Sequence, residues 1–553
     1  MAAKARQVSN GIRALSNTAR GAPVQLLRQS IQACVLSVLC YGAEAWWPGA
    51  TRMEKGKEIS NRMDCLVRKL DLALRDALRG ALPVYKTTPI SALHRELEIM
   101  PMKETLDNRR AVFAVRIKKL DKRHPLVRRS NKVATTKPYT TRLSRASSHA
   151  GGIEAYDPLL TPPWMRFPRK EDLQIGYVAG RTKEQAAQDF KSWLQQRNPL
   201  DLVVFTDGSQ IEHPQRATGA GWAICWGSEH RLISTGNLPM DKAEVFDAEA
   251  MAALQGLKEA TTSPQAKFAS NVYICLDNLE VARALGSVPN TSSQQVFAQF
   301  LKAIKAWQSR DRLPLATQSR VVIRWVPGHA GVAGNEKADL EAKAAAAQAA
   351  SASMVPQPDS IGTLAYIKRH TMEQTTRAFE NYWAKNRPKR YMELEIPLKR
   401  ASTEVKLSRF TLGKLYAARS GHGDFAAYHS HLKHEDAECY CRCGHSKTPE
   451  HFYYCTLARK AAKRRRPIYN LRETLATSRG ALEFNNWLRE TAFYQNICPM
   501  RRRAPPDQIP QTILSSVLPP SSSPPPPPSS LSSPFFPSLP SFLSASPTSL
   551  PQT

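Results

Sequence analysis

Four carboxylates in this chain stand where they could act together. Asp207 closes a short β-rich run over 202–206, and strand alternation puts it on the face of Val203 and Phe205. Glu249 falls in a helical stretch over 243–260, on the same face as Phe246, Ala253 and Leu257. Asp277 ends a run over 272–277 on the side of Tyr273 and Cys275, and Asp339 lies in the first turns of a helix that begins near Asn335. An acid at the end of an apolar strand, or on the packed face of a helix, is costly unless it is paired or bound to a metal. Each alone would pass for a cap or turn residue. Four arriving at one edge of one sheet would repel and raise one another's pKa, and divalent cations remove that repulsion. Hard oxygen ligands suit Mg²⁺ or Mn²⁺.

The most informative string is Gly328-His329-Ala330-Gly331-Val332-Ala333-Gly334-Asn335-Glu336-Lys337-Ala338-Asp339. Its glycines make a loop, and Asn335 or Glu336 suits the start of the helix that follows. His329 alone would be a solvated loop histidine; the surrounding string makes it a candidate functional residue.

The elements that must position these groups follow from the patterns. Runs over 202–206, 219–226 and 231–236 suggest an antiparallel meander. Then come a helix over 243–260, a strand over 272–277, a helix over 292–309, a strand over 321–326 and a helix through the alanine-rich 342–350. This order, βββαβαβα, predicts an α/β domain over 199–350, a mixed five-stranded sheet flanked by helices.

Asp207-Gly208-Ser209, Ala248-Glu249-Ala250, Leu276-Asp277-Asn278 and the 328–339 string together resemble the type I ribonuclease H family, with all four acids in the family's order. The resemblance implies a ribonuclease H-like fold and endonucleolytic hydrolysis of the RNA strand of RNA–DNA hybrids. It also implies two Mg²⁺ or Mn²⁺ ions about 4 Å apart bracketing the scissile phosphate. By the same resemblance Asp207, Glu249, Asp277 and Asp339 would be the metal ligands, and His329 would assist proton transfer or product release.

A second cluster lies downstream. Cys441-x-Cys443, followed by His451 and Cys455, offers three thiolates and an imidazole, enough for a tetrahedral structural Zn²⁺ in a module over 439–455. Cys439 also precedes Cys443 by an even offset and stays open as a replacement for Cys441. The remaining cysteines are scattered, which points to a metal site in a reducing compartment rather than a disulfide framework.

The flanks read as mostly helical and basic. Helical spacing covers 23–47, 59–80 and 103–120, and residues 101–150 carry fourteen Lys or Arg against three acids. Residues 125–198 read as a linker with one short helix near 182–196, and 360–500 as a helical basic region around the zinc module. The end, 501–553, is Pro- and Ser-rich, has no charge from Gln508 onward, and is expected to be disordered. Tyr41-Gly42-Ala43-Glu44-x-Trp46, Leu93-x-x-Glu96-Leu97 and His124-Pro125-Leu126 resemble the thumb and connection that follow a reverse-transcriptase palm, over 1–124. The stretch 415–455, with Arg419-Ser420-Gly421-His422 and Tyr428, resembles the segment after the ribonuclease H domain of non-LTR (LINE-type) retrotransposon polyproteins. No Tyr-x-Asp-Asp-type palm motif occurs, so no DNA synthesis is expected.

The chain has 553 residues, with 78 Lys plus Arg against 47 Asp plus Glu, a formal charge of +31. That excess favours polyanionic partners: the hybrid itself, and other nucleic acid through the basic flanks. No apolar leader follows the N-terminus and no apolar run is long enough for a bilayer, so neither secretion nor a membrane partner is expected. No small-molecule cofactor is expected either. Residues 1–43 lack acids and carry Lys4, Arg6, Arg13, Arg20 and Arg28, as a mitochondrial transit peptide would; an internal piece beginning at a chance Met accounts for them equally well. The expected setting is intracellular, the nucleus favoured over the cytoplasm, with the basic run 460–466 suiting import or phosphate contact. The competing reading is a catalytically inactive, nucleic-acid-binding remnant of a retroelement.

Overall fold

The computed structural model describes residues 1–498 except 18, 55–56, 132–142, 144–151, 161–172, 175–181, 213–215, 228, 288, 312, 314–319, 353–360, 399–402 and 464–466. The end expected to be disordered lies outside the described residues.

The first hundred and twenty residues are mostly helical. Helix α1 (Ala2–Ala14) packs on α2 (Asp64–Ala81), because Leu70, Ala73, Leu74, Ala77 and Leu78 recur at three- and four-residue spacing and bury one stripe against Ala5 and Ile12. A hairpin of β1 (Thr51–Glu54) and β2 (Lys57–Ser60) precedes α2, so the stretch read as helix over 59–80 begins as strand. Helices α3 (Ile90–Leu97) and α4 (Met102–Lys118) follow.

Next come β3 (Leu173–Gln174), α5 (Lys183–Gln195), β4 (Leu202–Ile211), β5 (Ala217–Trp226), β6 (Arg231–Met240), α6 (Val245–Thr262), β7 (Val272–Leu276), α7 (Leu279–Leu285), α8 (Gln294–Gln308), β8 (Val321–Trp325) and α9 (Ala333–Ala352). The strands form one sheet in the order β3-β8-β7-β4-β5-β6. The meander β4–β6 is antiparallel, while β7 pairs parallel with both β4 and β8. Strands β4 to β8 are the five that the sequence predicts. The sixth, β3, adds two residues parallel to β8 from within the stretch read as linker. Two strands run longer than predicted and one helix is added. β4 runs on through Asp207-Gly208-Ser209, so Asp207 lies inside a strand rather than at its end. β6 extends to Met240 through Pro239, which an edge strand tolerates because that backbone needs no ladder donor. The short α7 has no counterpart in the sequence reading.

Alternation sorts the strands' side chains to two faces. Leu202, Val204, Ile274 and Ile323 face Ala250, Ala253 and Leu257 of α6, with Leu285, Phe297 and Phe300 behind them. Val203, Phe205, Tyr273, Cys275 and Val322 face the other way. There α9 lays Ala342 and Ala346 against Gly219 and Gly221 of β5, a close approach that explains its alanine-rich sequence. Phe190, Trp193 and Leu194 of α5 cover the remainder of that face. Burying a side chain such as Phe190 contributes about 1.5–3 kcal/mol.

After the sheet come α10 (Leu364–Asn386), α11 (Arg409–Ser420) and α12 (Ser478–Thr491). The two flanks, read as separate regions from the sequence, share their cores. Val405, Leu412 and Tyr416 complete the core of α1–α3, and Ala92 of α3 lies in the core built by Trp383, Leu415, Phe484 and Trp487. Between them the Arg419 guanidinium, fully buried, donates to Glu96 (3.1 Å) and Glu404 (2.7 Å); Glu96 also accepts from Arg95 (2.8 Å) and the Tyr391 hydroxyl (2.7 Å). A second polar joint ties the sheet to α10. Glu154 accepts from the backbone N–H of Ser293 and of Leu364, and Asp247 accepts from the hydroxyls of Ser293 and Thr363. Among the described residues no helix is long and apolar enough to cross a membrane.

Candidate active site

Asp207, Glu249 and Asp277 come together at the middle of the sheet: one oxygen from each lies within 4.8 Å of the others. Three local features produce this. Parallel pairing sets β4 beside β7, so Asp207 and the residue after β7 fall on one side. Gly208 leaves room for Glu249: a Cβ there would sit 2.8 Å from the Glu249 backbone nitrogen and 2.9 Å from its Cγ. Any other residue would push α6 and its carboxylate away from the strand. On the far side, Gly328 lets the loop after β8 close over Asp277, whose Oδ2 would meet a Cβ at 2.0 Å. The Trp325 indole N–H donates to the Asp277 carbonyl (2.9 Å) and holds the end of β7 in place.

The electrostatics are unfavourable as they stand. Burial, then the neighbouring Asp277 carboxylate, pushes Asp207 up to about 7, although the Gly208 N–H (2.7 Å) favours its charged form. Burial and Asp207 drive Glu249 well above the carboxylate range, and one of its oxygens, Oε2, has no hydrogen-bond partner. Asp277 is raised by burial, with His329 and Lys183 acting against the shift. Three converging acids with an orphaned oxygen and no cation among them fit divalent metal ions, which would remove both penalties.

Asp339 and His329 stand beside this trio. Asp339 is buried on the first turns of α9 and ion-pairs with Lys343 one turn on (2.7 Å), while His329 Nδ1 lies 4.0 Å from it. With Glu336 they form a second group of potential ligands. His329 holds a left-handed backbone (φ 49°), rare for a non-glycine residue, and its side chain is 66% exposed. Asp339 thus adjoins the trio without entering it, and both Asp207 and Asp277 feel its charge. Glu336, Lys343 and Lys183 have no place in the sequence reading as site residues. The i,i+4 spacing of Asp339 and Lys343 is a sequence signal for their pair; nothing in the sequence announces Lys183.

The four zinc candidates also converge. Cys441, Cys443, His451 and Cys455 bring ligand atoms within 4.8 Å of one another, with Cys443 Sγ 3.3 Å from His451 Nε2 and the Cys441 and Cys455 sulfurs 4.0 Å apart. Cys439, the open alternative, is not part of the group. Three thiols and an imidazole form a donor set of tetrahedral type.

Residues 199–347 match the RNase H family model. No curated protein sequence matches the chain. Similar solved structures include RNase H1 from the halophilic archaeon Halobacterium salinarum (20% identity, 27% of this chain and 98% of that one, TM-score 0.20). The N-terminal RNase H domain of a Mycobacterium tuberculosis protein, solved as a fusion with maltose-binding protein, is 19% identical over 28% of this chain and 98% of that one (TM-score 0.22). LC11-RNase H1, from compost, in complex with an RNA/DNA hybrid, is 14% identical over 26% and 98% (TM-score 0.21). With its mixed sheet and flanking helices, the segment 199–347 of this chain is an RNase H domain on an RNase H-like fold.

Proposed function

We propose that this chain is a ribonuclease H that cuts the RNA strand of RNA–DNA hybrids internally, leaving 3′-hydroxyl and 5′-phosphate ends. The observation that carries the reading is the convergence of Asp207, Glu249 and Asp277, with Asp207 and Glu249 held far above the ordinary carboxylate range, inside the RNase H segment. These three, with Asp339, would hold Mg²⁺ or Mn²⁺. Two such ions supply an activated water and charge stabilisation at the leaving 3′ oxygen. The protein's own part is positioning. β4, α6 and β7 fix three carboxylates in a buried, low-dielectric site, where each oxygen's charge acts strongly on what lies above it. Lys343 holds Asp339 at the rim. His329, exposed on its loop with Nδ1 toward Asp339, takes up a proton there or eases product out.

The flanking basic helices would help hold nucleic acid, and Cys441, Cys443, His451 and Cys455 would bind a structural Zn²⁺. Descent from a non-LTR retrotransposon polyprotein is part of the same proposal, resting on the flanking strings at 41–46, 93–97 and 415–455.

The test is cleavage of a labelled RNA–DNA hybrid by the full chain with Mg²⁺, beside duplex RNA and the Asp207→Asn variant. Hybrid-only cleavage that is lost in the variant is the expected result. A folded wild type that cuts nothing with either Mg²⁺ or Mn²⁺ would overturn the reading and leave a nucleic-acid-binding remnant as the account.

A further inference from the structure

Helix α5 precedes the RNase H segment, yet it is seated on that segment's sheet. Phe190, 2% exposed, meets the Phe205 ring at 6.2 Å, and Trp193 meets Tyr273 edge-on at 5.2 Å. The guanidinium groups of Arg197 and Arg324 lie over the Trp193 ring at 4.8 and 4.6 Å. Thr182 and Gln185 close a reciprocal capping box that fixes the start of the helix. Packed and capped in this way, α5 has a set register, so the direction of its polar side is set too.

Two exposed lysines of α5 lie beside the active site. Lys183 is the first residue of α5, and after the larger effects of burial, His329 and Asp339 its charge also acts to favour the charged form of Asp277. A cation at the positive end of a helix is locally unfavourable, a placement that an approaching anion would offset. Two turns on, the Lys191 ammonium sits 3.8 Å from where a Cβ on Gly331 would be, in the loop that carries His329. Both side chains are exposed, and among the described residues neither is in a salt bridge. Their separation along the axis is about 12 Å, the rise of roughly three to four nucleotides.

We propose that α5 is a substrate-binding element of the nuclease site, with Lys183 and Lys191 contacting the phosphate backbone of the strand that lies across the carboxylates. The inference rests on the ribonuclease H reading and extends the site beyond residues 199–347. An ammonium acts on phosphate as a point charge, so these contacts would add affinity and orientation without reading base sequence.

The experiment compares full-length wild type, K183Q/K191Q and K183R/K191R on a labelled hybrid with Mg²⁺, from about 50 to 200 mM salt. The Gln pair is expected to raise KM about tenfold, to leave kcat within about twofold, and to flatten log KM against log salt by roughly 1.8, or 0.9 per lost contact. The Arg pair should restore the wild-type values. A Gln pair with wild-type KM and salt slope would overturn the inference while leaving the nuclease intact. If wild type does not cleave, metal-free hybrid binding still decides: equal salt slopes for wild type and the Gln pair would refute the contacts.

Discussion

Two of the buried clusters of ionisable groups among the described residues, one in the flanking body and one in the sheet, differ in charge balance. In the flanking body Arg95 and Arg419 face Glu96 and Glu404, two cations against two anions, with the Tyr391 hydroxyl added. Burial alone would lower the Arg419 pKa, but the two glutamates more than offset it and keep the guanidinium charged. In the sheet Asp207, Glu249 and Asp277 face one another with no buried cation among the described residues, and Asp207 and Glu249 are pushed far up the pH scale. The first cluster balances its charges within the chain. The second does not, and its donor set fits a divalent cation, the difference expected between a structural network and a metal site.

The sharpest break in the comparison is to remove one charge from each cluster. Asp207→Asn should cut hybrid cleavage at least about a thousandfold, a barrier change of about 4 kcal/mol. In chelator, however, the variant should melt no lower than wild type, because a repelling buried charge has gone. Arg419→Met should do the reverse to stability, costing about 3–5 kcal/mol in urea titrations by leaving two buried glutamates unpaired. If Asp207→Asn destabilised the metal-free protein as much as Arg419→Met does, the distinction would fail.

Acid sharpens the comparison from the side of the flanking body. His94 of α3 is buried and its Nδ1–H donates to the Ile99 carbonyl (2.7 Å). Burial lowers its pKa from 6.5 to about 4. The unfolded chain therefore binds a proton that the folded chain refuses, and the resulting stability is whole above pH 6.5 and drains away toward pH 4. The full loss is about 3 kcal/mol. Asp207 and Glu249 titrate with the opposite sign over this range, so the test is the stability difference between wild type and His94→Gln, which should change by about 3 kcal/mol from pH 7 to 4; a difference independent of pH would rule His94 out as the source. The smallest effect expected is from metal. Mg²⁺ at about a hundred times its Kd should stabilise wild type by about 2.7 kcal/mol. It should do markedly less for Asp207→Asn, and a melting curve indifferent to Mg²⁺ would count against the carboxylates as its ligands.

Much of the sheet was legible because its strands alternate cleanly and its acids sit in distinctive strings. The Gly328–Asp339 string located the loop and α9 almost to the residue. What escaped was tertiary. The composition near 183–195 marks a helix, but no periodicity says which sheet it covers. The two residues of β3 are too few to show a pattern. Asp207 looked terminal because Gly208 and Ser209 read as turn formers, whereas β5 pairs with them and carries the strand on. The choice between Cys439 and Cys441 needed geometry, since spacing alone left both open. The shared core of the flanks was invisible for the same reason as α5's docking: an apolar stripe announces that it will be covered, and not by what.

That shared core bears on how the chain is made. Arg419 follows Glu96 by 323 residues, so at roughly 5–20 residues per second a ribosome needs on the order of half a minute to deliver it. Through that interval α1–α4 wait with one side of their core unmet, while the RNase H segment between them emerges with every strand of its sheet in hand. A nascent chain stalled after α9 would therefore carry a finished RNase H-like sheet on an unfinished support, and holdase chaperones would find their substrate at the N-terminal end.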